Sequence, residues 1–269
     1  MTQQASTVPV VITMSGNDPS GGAGIQADIE ALASHGCHAA PVITAITIQD
    51  TRDVKGYAPL DAELVIEQAR TVLEDMPVAA IKIGLLGSAE IAEAVHSILQ
   101  DYPDIPVVLD PVLASGNGTT LTDDDVLQAM ETLLLPHTTV LTPNGPEART
   151  LAPEADNLEA CGMALLDKGC EFVLITGAHE NTPDVVRNTL YGNRRILETF
   201  TWERLQGSYH GSGCTLASSI AGLLAQGLEP FTAIHEAQEY TWETLRHGYR
   251  IGMGQHLPNR LFWAEGDGD

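Results

Sequence analysis

The chain has 269 residues, of which 43% are hydrophobic, so it is long enough for one large α/β domain or two small ones and too apolar for disorder. Its formal net charge of −23 makes nucleic acids and anionic membranes poor partners. Its apolar runs fall short of the roughly 18 residues that a membrane helix needs. Residues 1–7 carry no basic segment before an apolar stretch, so the sequence predicts a cytoplasmic protein.

Apolar runs alternate with helical patterns along the chain. The predicted strands are 8–14, 39–48, 79–83, 107–109, 139–141 and 172–175, followed by a hairpin of 185–190 and 195–200. The predicted helices are 23–35, 62–74, 88–99, 122–134, 158–168, 213–224 and 233–247. This alternation is typical of a doubly wound, mostly parallel sheet. Because no long linker interrupts it, we expect one domain over 1–269, with 265–269 as a frayed tail.

The cysteines do not form a metal-binding pattern. Cys37, Cys161, Cys170 and Cys214 include no CxxC pair, which argues against a zinc or iron–sulfur site. The first three are expected to be small apolar packing residues. Cys214 differs from them because it lies in a glycine-rich segment.

Two glycine-rich segments at opposite ends of the chain each connect a strand-like run to a helical pattern. The first runs from Ser15 to Asp28, and the second from His210 to Thr215. Such turns leave backbone N–H groups unpaired, and the helix that follows adds partial positive charge, so anions bind there. Since the first segment carries a carboxylate and the second carries Cys214, the pair predicts a phosphoryl-transfer site.

Six motifs occur in a fixed order along the chain: SGNDPSGGAGIQAD, VITAITIQDTRDV, KIGLLG, LDPVLASG, LTPNGPEA and HGSGCT. In this order they resemble the hydroxymethylpyrimidine/phosphomethylpyrimidine kinases of thiamine biosynthesis, in the ribokinase-like superfamily. The resemblance implies a three-layer α/β/α fold with a mostly parallel central sheet. It also implies ATP-dependent, Mg²⁺-dependent phosphorylation of 4-amino-5-hydroxymethyl-2-methylpyrimidine and then of its monophosphate, by a homodimer.

The resemblance assigns the catalytic position to the second glycine-rich segment. Gly211, Ser212 and Gly213 correspond to the family's anion hole, and their N–H groups can hold a transferring phosphoryl group. Cys214 corresponds to the base that accepts the proton of the substrate's hydroxymethyl group. Because Cys214 lies in the first turn of a predicted helix, we expect a lowered thiol pKa.

The substrate contacts that the resemblance implies come from the first half of the chain. Asp28 would bind the pyrimidine edge, and Gly16 would bring the backbone close to the ring. Gln49 offers both a donor and an acceptor. Leu85 and Val112 would flank the pyrimidine, although plain core packing explains either residue equally well.

Phosphate and metal contacts are implied by the fifth motif and its neighbours. Asn144 and Glu147 would help to position Mg²⁺ and the phosphates, and Asp110 would join the metal network, with water completing the coordination. The same Asn144 and Glu147 also fit a helix capping box, and the two roles are compatible. Thr176 and Gly177 would lie near the nucleotide phosphates, but Thr176 stands where many family members carry Lys.

Two other functions remain open from the sequence. A pyridoxal or pyridoxine kinase of the same fold would also act on a heteroaromatic hydroxymethyl group. A non-catalytic pyrimidine-binding regulator is favoured only by the change to Thr176 and is opposed by the presence of Cys214, Asn144 and Glu147. The segment 51–59, which is polar and adjoins Gln49, is a candidate cover for the substrate.

Overall fold

The computed structural model describes residues 8–115, 118–180 and 183–264, so the predicted frayed tail at 265–269 lies outside the described residues. Its strands form one sheet in the order β3-β2-β1-β4-β5-β6-β7-β8-β9. The strands are β1 Val10–Asn17, β2 His38–Gln49, β3 Val54–Pro59, β4 Val78–Ile83, β5 Val107–Leu109, β6 Val140–Leu141, β7 Phe172–Ile175, β8 Val185–Gly192 and β9 Arg195–Glu203. The central strands pair in parallel, and β3, β8 and β9 pair antiparallel at the two edges.

Helices cover both faces of the sheet. They are α1 Gly24–Ser34, α2 Ala62–Asp75, α3 Ala89–Asp101, α4 Asp124–Ala129, α5 Gly145–Leu151, α6 Leu158–Asp167, α7 Ser212–Ala225 and α8 Pro230–Arg246. Helices α2 to α6 pack on one face around Ile12 and Met14, and α1, α7 and α8 pack on the other face around Val11 and Val108. Both faces of β1 are therefore fully buried, as its continuous apolar sequence predicts.

The structure differs from the sequence-based prediction in three segments. The strand β3 was not predicted as a strand; it occupies the segment expected to be a cover and pairs antiparallel with β2. The helix expected over 122–134 begins at Asp124, after its N-cap Asp123, and continues from Met130 as a π-helical turn. The first strand of the hairpin continues beyond the predicted residue 190 to Gly192, and the turn lies at Asn193 and Arg194, which both have positive φ.

The parallel strands β1, β4, β5, β6 and β7 end at one edge of the sheet, where ligands bind in folds of this kind. In the described part of the chain, no helix is long and apolar enough to cross a membrane.

Candidate active site

Backbone hydrogen bonds align the residues that follow the parallel strands. The N–H groups of Gly84, Asp110 and Thr142 each donate to a carbonyl of the neighbouring parallel strand, at 2.8 to 3.0 Å. The acceptors are Met14, Ile83 and Leu109. The N–H of Thr176 donates to the carbonyl of Pro143 at 2.9 Å. These bonds extend the sheet edge, so the side chains that follow several strands are held at one level above it.

The two glycine-rich segments meet directly. Gly211 is the N-cap of α7 and has a left-handed φ of +87°. A Cβ at Gly211 would lie 1.8 Å from the carbonyl oxygen of Gly22, so only glycine fits. No side chain among the described residues caps α7, which leaves the N–H groups of Ser212, Gly213 and Cys214 available at its N-terminus. This arrangement suits an anion.

A buried arginine that sequence reasoning missed supports this turn. Arg260 is 2% exposed, and its guanidinium donates to the hydroxyl of Thr215 at 2.8 Å and to the carbonyl of Gly22. It also forms an ion pair with Glu30 at 3.0 Å. Arg260 therefore ties the C-terminal segment to both glycine-rich segments and places a positive charge behind the α7 N-terminus. A single arginine outside any motif gave no sequence signal.

The structure reverses the prediction for the Cys214 thiol. Burial raises its pKa to about 12, against the attraction of the Lys82 ammonium, and the negative charge of Asp110 raises it further. The helix N-terminus, which was expected to lower the pKa, does not outweigh this desolvation. The thiol is consequently protonated at neutral pH, and its proximity to Asp110 offsets part of the rise in the pKa of that carboxyl.

Two buried carboxylates, Asp110 and Glu147, lie next to the anion-binding turn. Burial raises the pKa of both groups, and the charge of Asp110 helps to bring that of Glu147 to about 8. Among the described residues, Oδ2 of Asp110 has no hydrogen-bond partner. A Cβ at Gly213 would lie 3.6 Å from the Asp110 carboxylate, which places this group under the first turn of α7. An unpaired buried oxygen beside an anion site fits a hard cation such as Mg²⁺.

The capping-box alternative for Asn144 and Glu147 is confirmed. The Asn144 side chain accepts from the Glu147 N–H at 2.9 Å, and the Glu147 carboxylate accepts from the Asn144 N–H at 2.8 Å. This cap holds Glu147 at the start of α5, on the same side as Asp110. Within the described residues, no group of three or more metal-ligating His, Cys, Asp and Glu side chains occurs, so a cation here would keep water ligands.

Asp28 does not line the site. Its carboxylate is fully buried and accepts from Lys82 at 2.8 Å, from Thr13 at 2.9 Å and from Ser218 at 2.6 Å. With both oxygens occupied and no exposed surface, this carboxylate cannot bind the edge of a pyrimidine, contrary to the sequence-based assignment. Although burial disfavours the ammonium, the charges of Asp28 and Asp110 raise the pKa of Lys82. The sequence did contain a signal for this pair. Lys82 lies in an apolar strand, and a buried ammonium needs a buried carboxylate as its partner.

The apolar substrate contacts that the sequence predicted lie together. A Cβ at Gly16 would be 3.0 Å from the Leu85 side chain. Leu85 belongs to a small buried cluster with Ala45 and Val54, and Val112 packs against this cluster. The three predicted residues therefore form one apolar wall, beside the end of β1.

Gln49 lies at the end of β2 and is linked to the second glycine-rich segment. Its amide is 2.6 Å from Nε2 of His210, and the same nitrogen is 2.9 Å from the carboxylate of Asp18. Asp18 also accepts from the N–H groups of Ser20 and Ala23 at 2.8 Å. Burial acts to raise the pKa of Asp18, but hydrogen bonds from His210 and Ser20 outweigh burial and lower this pKa. The carboxylate is therefore ionised.

The predicted nucleotide contacts at the end of β7 have different environments. Thr176 is half-buried and pairs with Asn144 in a short parallel bridge. The N–H of Gly177 donates to Asn188 at 3.0 Å, and a Cβ there would lie 2.1 Å from the carbonyl of Arg187. The N–H of Gly177 is therefore not available to a phosphate, and the glycine is required by its close contact with β8.

Comparisons with known proteins agree with this arrangement. The family described as phosphomethylpyrimidine kinase matches residues 18–259. A hydroxymethylpyrimidine/phosphomethylpyrimidine kinase of Streptomyces coelicolor is 38% identical over 253 residues, covering 92% of this chain and 93% of its own. The solved phosphomethylpyrimidine kinase of Clostridium difficile has a TM-score of 0.75 at 32% identity, covering 88% of this chain and 99% of its own.

A second kind of kinase has the same fold. The pyridoxal kinase of Staphylococcus aureus, solved in complex with AMP-PCP and pyridoxal, has a TM-score of 0.86 at 27% identity and covers 96% of both chains. These similarities confirm the predicted three-layer fold with its mostly parallel sheet.

Proposed function

Since this chain belongs to the phosphomethylpyrimidine kinase family, we propose that it transfers the γ-phosphoryl group of ATP to the hydroxymethyl group of 4-amino-5-hydroxymethyl-2-methylpyrimidine. A second transfer would convert the resulting monophosphate to the diphosphate, for thiamine biosynthesis. One observation carries the proposal. An uncapped helix N-terminus, suited to phosphate, lies beside two buried carboxylates suited to a divalent cation.

The turn of Gly211 to Gly213 would hold the transferring phosphoryl group. Its backbone N–H groups are fixed before any ligand binds, because the contact between Gly211 and Gly22 sets the conformation of the turn. Preorganised donors of this kind stabilise the charge that spreads over the phosphoryl oxygens in the transition state. Arg260 supplies a fixed positive charge behind them.

Asp110 and Glu147 would hold Mg²⁺, with Asn144 fixing the position of Glu147. The unpaired Oδ2 of Asp110 fits this role, since an oxygen buried without a partner is costly unless a ligand compensates it. Bound there, Mg²⁺ would neutralise charge on the phosphate oxygens. Thr176, at the adjacent strand end, would contact the nucleotide phosphates through its hydroxyl group instead of through a lysine ammonium.

Cys214 would accept the proton of the substrate hydroxymethyl group. The thiol of the free protein is protonated, with a pKa of about 12, so the site must lower that pKa before the thiolate can act. The negative charge of Asp110 is one cause of the high value, and Lys82 opposes it. Neutralising Asp110 therefore shifts the thiol toward its reactive form.

Gln49 would bind the polar edge of the pyrimidine, and the wall of Gly16, Leu85 and Val112 would contact its ring. This placement is supported by the position of Gln49 beside the second glycine-rich segment and by the clustering of the apolar residues. Apolar walls with a few placed polar groups are the usual construction of small-molecule sites.

Product analysis with ATP, Mg²⁺ and the pyrimidine tests this function. Formation of the diphosphate is the expected result and would show that Thr176 supports both transfers. Cys214→Ala should lower kcat by about 10²- to 10⁴-fold, the usual contribution of a general base, while ATP binding measured by calorimetry is retained. Full turnover by this variant would remove the base assignment.

A pyridoxal kinase is the second candidate, because the pyridoxal-bound structure resembles this chain over nearly its whole length. Comparing kcat/KM for pyridoxal and for the aminopyrimidine separates the two functions. A higher value for pyridoxal would replace the first proposal with the second.

We propose that the protein acts as a cytoplasmic homodimer built from single-domain subunits. A dimer is supported by exposed apolar side chains near the site, with Ile48 65% exposed and Met253 74% exposed. The single sheet that unites the described strands supports one domain. Light scattering after size-exclusion chromatography should give twice the mass of the chain; a monomer at micromolar concentration would contradict the dimer.

A further inference from the structure

The side chain of Gln49 lies between a ring nitrogen that carries a proton and a hydroxyl whose proton is donated elsewhere. One amide atom is 2.6 Å from Nε2 of His210, and the other is 3.2 Å from the hydroxyl of Thr47. The oxygen and nitrogen of an amide exchange places by a half-turn of the terminal torsion, so the partners decide which atom faces which side.

His210 requires the oxygen of Gln49 on its side. Its Nε2 lies 2.9 Å from the carboxylate of Asp18, which accepts two further hydrogen bonds from Ser20 and one from Ala23. An ionised carboxylate only accepts, so Nε2 of His210 carries a proton. A protonated ring nitrogen has no lone pair to offer an amide N–H, so the Gln49 atom that faces His210 must be Oε1. This oxygen then shares the Nε2 proton with the Asp18 carboxylate in a bifurcated hydrogen bond.

Thr47 independently requires the nitrogen of Gln49 on the opposite side. Its hydroxyl lies 2.8 Å from the carbonyl oxygen of Asn17, which can only accept. The single hydroxyl proton is thereby used, so toward Gln49 the Thr47 oxygen is an acceptor. The Gln49 atom that faces it must be Nε2. Both partners thus demand the same orientation of the amide.

We infer that His210 and Thr47 clamp the Gln49 amide in this one orientation and thereby select substrates that carry an amine next to a ring nitrogen. The clamp uses one lone pair of Oε1 and one N–H of Nε2. The remaining lone pair and N–H lie side by side on the half-buried edge of the amide. An aminopyrimidine presents the complement, an N–H of its amine and the lone pair of the adjacent ring nitrogen.

This inference rests on the proposed function, and within it His210 is a positioning residue. His210 would act on substrate only through Gln49, with Asp18 fixing the tautomer of its imidazole. Pyridoxine has no amine beside its ring nitrogen, so it can use only one of the two free groups of Gln49. The clamp therefore favours the aminopyrimidine over pyridoxine.

A double-mutant cycle tests the clamp. His210→Phe removes the donor and Thr47→Val removes the acceptor, and each should raise KM for the aminopyrimidine by about tenfold, with kcat and KM for ATP unchanged. In a Gln49→Ala background neither substitution should raise KM further, because its target is gone. KM for pyridoxine should rise by less than KM for the aminopyrimidine in both single variants, because pyridoxine uses only one group of Gln49. His38→Phe, at an exposed histidine of β2 outside the site, is the matched control.

The outcomes separate the clamp from the function that it serves. The clamp would be overturned if His210→Phe or Thr47→Val raised KM further in the Gln49→Ala background, or if either substitution lowered kcat. In that case, turnover of the aminopyrimidine by the wild type would leave the proposed function intact. Wild-type turnover of pyridoxine without turnover of the aminopyrimidine would overturn both. If His210→Phe fails to fold in a thermal melt, Thr47→Val in the wild-type and Gln49→Ala backgrounds gives the same decision.

Discussion

Two buried acidic centres lie close enough to Cys214 to affect its pKa, and they are built in opposite ways. Asp28 has an ammonium and two hydroxyl donors around its carboxylate, so its charge is fully compensated. Asp110 and Glu147 repel each other, both have raised pKa values, and one oxygen of Asp110 has no partner among the described residues.

The difference distinguishes a carboxylate that holds the fold from carboxylates that await a ligand. A buried charge with its own partners is complete without substrate, and disturbing it costs stability. Buried like charges are kept at a cost to stability, and such groups concentrate at functional sites. Burial alone misleads here, because Asp28, the most deeply buried of the three, is the one that no ligand can reach.

The largest expected effect comes from breaking the compensated centre. Lys82→Met leaves Asp28 charged and buried without its ammonium, so we expect a loss of about 3–5 kcal/mol in the free energy of unfolding. Urea denaturation measures it. The double variant Asp28→Asn/Lys82→Met should recover most of the loss, since the uncompensated charge is then removed as well.

Lys55→Met is the matched control for Lys82→Met. Lys55 pairs with Asp50 at 2.7 Å, but both side chains are exposed, at 63% and 43%. Solvent already screens this pair, so the control should not change stability measurably. Equal losses in the two variants would show that the contrast between the buried and exposed pairs is wrong.

The uncompensated centre should make stability depend on pH. The pKa of Glu147 is raised from 4.5 in the unfolded chain to about 8 in the folded protein. Only the folded state holds this proton between those values, so the stabilisation is complete below pH 4.5 and is lost as the pH rises through 8. From pH 6.5 to 8.5 the free energy of unfolding should fall by about 1–2 kcal/mol.

Glu147→Gln should remove this slope while retaining the capping box. The contribution of His35 to stability depends on pH in the opposite direction. Burial lowers the pKa of His35 to about 4, so its contribution is lost as the pH falls below 6.5. The window above pH 6.5 therefore separates the effect of Glu147 from that of His35. In the wild type, Mg²⁺ should raise Tm more at pH 8.5 than at pH 6.5, since a cation and the proton compete for the carboxylates. Equal shifts would argue against this metal site.

A smaller effect on stability is expected from Asp110→Asn. Removing one of two repelling carboxylates should stabilise the fold by about 1 kcal/mol, as often happens when a functional residue is replaced. The substitution should also lower the pKa of the Cys214 thiol, because Asp110 is one cause of its high value. Thiol alkylation rates against pH measure that shift. Turnover should fall despite the gain in stability; a variant that is both destabilised and fully active would contradict the role of Asp110.

The alternation of apolar runs and helical patterns was sufficient to predict the sheet and its covering helices. The predicted helix 88–99 starts at the residue that caps α3, where the Ser88 hydroxyl accepts from the Ile91 N–H. The strand β3 escaped prediction because it is short, contains Gly56 and Pro59, and is formed by its pairing with β2. Its identity as a strand depends on a partner, which a local pattern does not contain.

For the site, the sequence determined which residues are present and which turns bind anions, because glycine spacing and strand ends are local properties. The tertiary structure decided what each side chain faces. It joined Gly22 to Gly211, placed Arg260 behind the anion-binding turn, turned Asp28 inward onto Lys82 and raised the pKa of Cys214. These outcomes depend on desolvation and on charges brought together from distant parts of the chain, and such terms exist only once the chain has folded.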